Sequence, residues 1–206
     1  MIVVTGGTGA LGKELVKLFK ADGKVVVSIS RHENPEADHN LLHDLSEPQE
    51  AAVTARGIEK IGEPLEAIIN AAGIYGPVSL GELTEAEIRR NMAIHAETPM
   101  LLASSLLERI KKDGTDIVNV SSIAAVKHTA GAPAYSVSKA ALRGFSADLQ
   151  VALKDYPSRV ISFLPSSFDD SSPTSPADVA KLIKQLLKLP KSMEVAEIII
   201  NTKGVA

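Results

Sequence analysis

Thr5-Gly6-Gly7-Thr8-Gly9-Ala10-Leu11-Gly12 follows the apolar run Ile2-Val3-Val4 and leads into a segment with Leu11, Leu15, Val16, Leu18 and Phe19 at helical spacing. A β-branched run, a glycine-rich turn and an amphipathic helix form the first strand–turn–helix unit of a parallel sheet. Glycines let the backbone turn tightly and approach a phosphate closely. The helix start adds unpaired N–H groups and the positive end of its dipole. Standing alone, three glycines would equally mark a turn that needs positive φ. With a strand before and a helix after, the reading is dinucleotide binding. The candidate phosphate-binding residues are Gly6, Thr8, Gly9, Ala10, Leu11 and Gly12.

Outward from this unit, the same alternation runs to the C-terminus. The patterning predicts strands at residues 2–5, 24–30, 40–43, 67–71, 116–120, 159–164 and 197–201. Helices are expected at 9–22, 47–61, 84–112 with a kink at Pro99, 134–154 and 177–189. The strand runs are almost continuously apolar, as when helices cover both faces of a sheet. The expected fold is α/β: one doubly wound parallel sheet of about seven strands in a single domain over residues 1–206. No repeat or linker interrupts it, and residues 165–176, rich in Pro and Ser, read as a loop or lid beside a site.

Composition narrows the function. The chain has 206 residues, 45% hydrophobic and 23% charged, which excludes a disordered chain. A net charge of −3 provides no general field for a nucleic-acid backbone or an anionic membrane. Cysteine is absent, so disulfides, thiol catalysis and cysteine-bound metals are excluded, and no metal site is expected. No leader and no apolar run of spanning length are visible, so a cytoplasmic protein without membrane or nucleic-acid partners is expected.

Two further positions carry chemistry. At the end of the second strand stand Ser30-Arg31-His32, with no acid before Glu33. An acid there would bind a ribose 2′-hydroxyl, whereas a cation accommodates a 2′-phosphate. Arg31 can fork onto a phosphate, so NADP (NADPH) is expected over NAD; the alternative is a solvated surface arginine. Tyr135 and Lys139 lie four apart, on one face of a helix. Bringing a tyrosine from its reference pKa of about 10 towards neutrality takes roughly 4 kcal/mol. An ammonium about 5 Å away supplies roughly 3 kcal/mol at an effective dielectric near 20. The alternative is a half-buried Tyr beside an exposed Lys.

Taken together, the glycine turn, Asn70-Ala71-Ala72-Gly73, Ser121-Ser122 and Tyr135-x-x-x-Lys139 occur in the order that resembles the short-chain dehydrogenase/reductase family, over essentially the whole chain. The resemblance implies a Rossmann fold and an oxidoreductase acting on a small carbonyl/alcohol substrate. It makes Tyr135 the general acid/base, Lys139 the ribose ligand that lowers the Tyr pKa, and Ser122, thirteen residues before the Tyr, the holder of the carbonyl. It places Asn70, Ala71, Ala72 and Gly73 beside the adenosine ribose, Asp44 and Leu45 near the adenine, and Pro165 at the nicotinamide. Asp44 reads equally as a charge ahead of a helix start. The resemblance also implies a homodimer or homotetramer paired through the long helices at 84–112 and 134–154.

Several positions depart from the family pattern. The glycine spacing, at Gly6, Gly9 and Gly12, looks more like that of the extended branches. The catalytic Asn expected twenty-seven residues before Ser122 is His95, which could replace it through a hydrogen bond, titrate near neutrality, or disable the proton relay. Ser166 stands where a Gly follows Pro165, and Asp170 where a Thr often contacts the nicotinamide. Specificity is expected in loops 75–83, 124–134 and 166–176, with His128 either lining the pocket or solvated. Two other functions stay open: a non-catalytic NAD(P)-binding sensor or scaffold, and a sugar-nucleotide epimerase or dehydratase.

Overall fold

A computed structural model describes residues 1–127, 130–168 and 172–203. Seven parallel strands form one sheet in the order β3-β2-β1-β4-β5-β6-β7. They are β1 (Ile2–Thr5), β2 (Val26–Ser30), β3 (His39–Leu42), β4 (Ala67–Asn70), β5 (Asp116–Val120), β6 (Val160–Pro165) and β7 (Glu197–Ile200). The helices are α1 (Ala10–Ala21), α2 (Glu50–Ile61), α3 (Glu85–Met92), α4 (Thr98–Ser105), α5 (Leu107–Asp113), α6 (Pro133–Leu153) and α7 (Pro176–Leu187). The expected doubly wound sheet is therefore present.

The period of two along each strand sorts the core into two layers. Val3, Val27, Ile68, Ile117 and Val160 point to one face and meet α2, α4, α5 and α6 through Ile58, Leu102, Ile110 and Leu149. Val4, Val26, Ile69, Val118 and Ile161 point to the other and meet α1 and α7 through Leu15, Phe19, Val179 and Ile183. Strand order reverses beside β1, where β2 leads one way and β4 the other. Such a switch point leaves a crevice at the carboxyl ends of the strands. That is where the glycine turn emerges.

The helix expected at 84–112 is divided. Ala93–Glu97 forms a π-helical turn, with Thr98 N–H bonded to the Ala93 carbonyl, five residues back. Pro99 follows at once. It has no N–H to give the His95 carbonyl, so a wide turn replaces the regular ladder there. A second break falls at Leu106, before α5 ends on left-handed Gly114. The expected kink at Pro99 is thus a whole π turn, and it carries His95.

A buried ion pair fixes the C-terminal part. The Arg159 guanidinium bonds Asp116 through Nε at 3.1 Å and Nη2 at 2.6 Å, and also donates to the carbonyls of Leu187 and Leu189. Lys191 reaches the same carboxylate at 2.6 Å. The side chains of Arg159 and Asp116 are only 4% and 5% exposed. Asp116→Asn leaves a guanidinium buried against a neutral amide and should cost about 3 kcal/mol of stability in a denaturant titration. A loss within ~0.5 kcal/mol would mean that the backbone carbonyls alone satisfy Arg159.

Candidate active site

A cleft runs along the carboxyl ends of the strands in two connected parts of about 520 and 350 Å³. Gly6, Gly9, Ala71, Gly73 and Ile74 border both parts. The glycine turn is therefore the waist of the cleft.

The packing explains the turn's glycines. Gly6 has φ +70°, and a Cβ on it would lie 2.7 Å from the Ala72 Cα. A Cβ on Gly12 would lie 2.0 Å from the Gly6 carbonyl oxygen. Neither position accepts a side chain without moving backbone. Gly6 N–H bonds the Ile29 carbonyl at 2.7 Å, and Thr5 Oγ1 accepts from Ala72 N–H at 3.0 Å. These bonds tie the turn to β2 and to the Asn70–Gly73 segment. Asn34, which no sequence signal marked, donates to the Gly7 carbonyl at 2.7 Å. Gly9 caps α1 without a side-chain acceptor, so the first amides of the helix are left for another partner. Gly9, Ala10, Leu11 and Gly12 line the larger part of the cleft, and Thr8 the smaller. A Cβ-free cradle at a helix start suits a pyrophosphate.

The smaller part of the cleft is charged. Arg31 and His32 of the β2 end, His43, Asp44, Leu45 and Ala72 line it, together with Arg90 of α3. Asp44 accepts from the Ser46 amide at 3.0 Å and hydroxyl at 2.7 Å. Burial raises its carboxyl pKa, but those bonds and the charges of Arg31 and Arg90 outweigh burial and hold it below the usual range. Helix α2 starts only at Glu50, so Asp44 is not its N-cap. Leu45 is buried, and its carbonyl accepts from Thr98 Oγ1 at 2.9 Å. Arg90 was invisible in the sequence because α3 reaches this site only through tertiary packing.

The larger part holds Ser122, Tyr135, Lys139 and His95, with Pro165 at the end of β6. The Ser122 side chain faces the Tyr135 phenol and acts to lower its pKa. Lys139 Nζ donates to the Val120 carbonyl at 2.8 Å and lies 5.8 Å from the centre of the Tyr135 ring. Ser121 turns away and donates to the Lys139 carbonyl, so of the two serines only Ser122 meets the tyrosine. Asn70 donates to Asn119, and Asn119 to Ser146, a buried chain that braces the centre of the sheet under the cleft. Ser166 fills the place of the expected glycine. Its hydroxyl meets Thr202 Oγ1 at 2.7 Å and its N–H bonds the Ile200 carbonyl. His128 and Asp170 lie outside the described residues.

Two electrostatic expectations are corrected. Burial pushes the Tyr135 phenol above its ordinary value; Ser122 lowers it, Tyr75 raises it, and burial wins. Lys139, 5.8 Å from the ring centre, does not offset that burial, and burial also pulls its own amine down to about 7. His95 does not titrate near neutrality. Burial and the neighbouring Lys139 take it to about 2, against a raising contribution from the Ile74 amide. Its Nε2 accepts from Ile74 N–H at 3.1 Å, so the ring proton sits on Nδ1, 2.9 Å from Ser138 Oγ. Ser138 in turn donates to the Tyr135 carbonyl at 2.9 Å. Both nitrogens of His95 are thus engaged, and a neutral imidazole bridges the β4 loop and the Tyr135 turn of α6. No cluster of metal ligands occurs among the described residues, and no helix among them is long and apolar enough to cross a membrane.

A switch-point sheet, a glycine turn at the switch and a Ser–Tyr–Lys cluster beside it define a doubly wound domain of the oxidoreductase class. The family model for short chain dehydrogenases matches residues 1–178, and the chain belongs to the short-chain dehydrogenase/reductase family. An uncharacterized oxidoreductase of Thermotoga maritima is 29% identical over 181 residues, covering 81% of this chain and 71% of that one. An NADP-dependent (R)-specific alcohol dehydrogenase of Lentilactobacillus kefiri is 28% identical over 173 residues, 77% of this chain and 69% of that protein. A crystal structure of a short-chain dehydrogenase/reductase family oxidoreductase from Brucella ovis, with a partially ordered NAD, superposes with a TM-score of 0.83 at 26% identity, covering 97% of this chain and 98% of that one.

Proposed function

We propose that the protein is an NADPH-dependent reductase of a carbonyl compound, or a dehydrogenase of the corresponding alcohol, with Tyr135 as the proton-transfer group. The observation that carries this reading is the Tyr135 phenol facing Ser122, beside a buried Lys139 and next to a glycine cradle. The first amides of α1 and the turn at Gly6, Gly9 and Gly12 would hold the pyrophosphate, Arg31 and Arg90 a 2′-phosphate, Ala71–Gly73 (with Asn70 bracing the sheet beneath and not lining the cleft) and Lys139 the riboses, and Pro165 the nicotinamide side. A nicotinamide coenzyme held there supplies a hydride, the two electrons that reduce the carbonyl carbon.

The chain's own residues handle the oxygen. Ser122 and Tyr135 donate hydrogen bonds to the substrate carbonyl and polarise it. Tyr135 then gives its phenolic proton to the oxygen, completing the alcohol. Burial keeps that phenol protonated before the step, which suits a donor. A Lys139 ammonium near the ring favours the phenolate that the step leaves. The phenol regains its proton from solvent at the mouth of the cleft. His95 has no free nitrogen for that return and acts as a positioning residue.

The choice of NADPH rests on Arg31 and Arg90. Lentilactobacillus kefiri alcohol dehydrogenase is named as NADP-dependent, whereas the Brucella ovis structure holds NAD. Fluorescence titration should give NADPH affinity roughly 10- to 100-fold tighter than NADH affinity, the range of a charge-assisted pair. Arg31→Ala should remove most of that ratio by weakening NADPH alone. Equal affinities in the wild type would overturn the NADPH assignment, and binding of neither coenzyme would favour a degenerate scaffold.

A further inference from the structure

The two parts of the cleft differ sharply in charge. Cations and an acid crowd the part where Arg31, Arg90 and Asp44 meet. Among the described residues, the part around the Ser122 and Tyr135 hydroxyls has Lys139 as its one amine, and that amine is buried and committed to the Val120 carbonyl. Its remaining walls include Ile74, Tyr75, Ile123, Ala124 and Phe168. A carboxylate or phosphate on the substrate would leave water and find no free cation there. An apolar group would lose nothing by entering.

Tyr75 adds shape to this chemistry. Its ring packs edge-on to Tyr135, with centroids 5.1 Å apart and planes at 80°, yet Tyr75 is 69% exposed. An aromatic ring at the cleft wall thus rests edge-on against the Tyr135 phenol with most of its surface exposed. Exposed aromatic area beside an apolar wall favours a second aromatic ring, which gains burial and the offset or edge geometry that π-systems prefer. Resting on the reading of this site as a carbonyl reductase, we propose that the substrate is an uncharged carbonyl compound with an aryl group next to the carbonyl, selected by Tyr75.

The test measures kcat/KM at saturating NADPH for three probes: 1-phenyl-1,2-propanedione, 2,3-butanedione and phenylglyoxylate. They separate the aryl group from the charge. The phenyl diketone should exceed each of the others by at least about tenfold, the discrimination that one buried group or one unpaired charge provides. Tyr75→Ala should lower the phenyl-to-methyl ratio at least about fivefold, whereas Tyr75→Phe, which keeps the ring, should hold it within about twofold. Butanedione as the best probe, or a ratio unmoved in Tyr75→Ala, would overturn the aryl assignment, and phenylglyoxylate as the best probe would overturn the requirement for an uncharged substrate, each while leaving carbonyl reduction standing. A wild-type protein that binds NADPH and reduces none of the three would overturn the carbonyl-reductase reading, and this inference with it.

Discussion

Tyr135→Phe should lower kcat/KM for carbonyl reduction by about 10²- to 10⁴-fold, the range expected when a positioned acid is removed. The substitution deletes one oxygen and leaves the ring. The edge contacts of that ring with Tyr75, at 5.1 Å, and with His95, at 5.4 Å, do not need the hydroxyl. The backbone carbonyl that receives the Ser138 hydroxyl is also unchanged. The fold around position 135 should therefore survive, with NADPH affinity and melting temperature close to wild type. Ser122 loses the hydroxyl it faces but keeps the Ala124 amide at 3.1 Å, so it stays in place and still polarises a carbonyl. The expected result is a folded, coenzyme-binding protein that has lost its phenolic proton donor. Activity within about tenfold of wild type would instead assign the proton to Ser122 or a cleft water. Unchanged biological activity together with unchanged coenzyme binding would favour the sensor or scaffold reading.

Most of the fold is legible in the sequence because its signals are local. Runs such as Ala67-Ile68-Ile69-Asn70 and Ile198-Ile199-Ile200 are short, apolar and bounded by turn residues, and the observed strands differ from the expected ones by a few residues at their ends. The spacing of Tyr135 and Lys139 is also local, since a helix alone puts them on one face. What the sequence conceals arrives through tertiary structure. A single expected helix over 84–112 becomes α3, a π turn, α4 and α5, because apolar periodicity does not register one extra residue in a turn. Arg90 and Tyr75 reach the cleft from segments whose patterns mark only a helix surface and a loop. The protonation of His95 depends on Ile74 and Ser138, 21 and 43 residues away, and on burial that residue type does not reveal. The same burial reverses the expected sign at Tyr135. Identities and spacings thus marked the candidate residues, and solvent exclusion governs their charge states.

Lys139→Met should abolish measurable turnover and yet stabilise the protein at neutral pH. Lys139 is 5% exposed, and burial lowers its amine from 10.5 to about 7. Between those two values the unfolded chain holds a proton that the folded chain gives up. Unfolding therefore takes up protons, and stability rises with pH across the window from about 7 to 10.5. Below about 7 both states carry the proton and this dependence vanishes. The full difference corresponds to roughly 5 kcal/mol of stability that the buried lysine costs at pH 7. Methionine fills a similar volume without a charge, though it forfeits the hydrogen bond to the Val120 carbonyl, about 1 kcal/mol. Urea titrations should thus find the variant about 3–4 kcal/mol more stable than wild type near pH 7, with the gap closing by about pH 10. A gap of the same size at both pH values would mean that packing, not charge burial, separates the two proteins. No gap at neutral pH would mean that the folded state solvates the amine. The expected pairing of lost turnover with gained stability would set position 139 apart from the core around it. An ammonium held in that place against its own solvation, 5.8 Å from the Tyr135 ring, would then serve the reaction and not the fold.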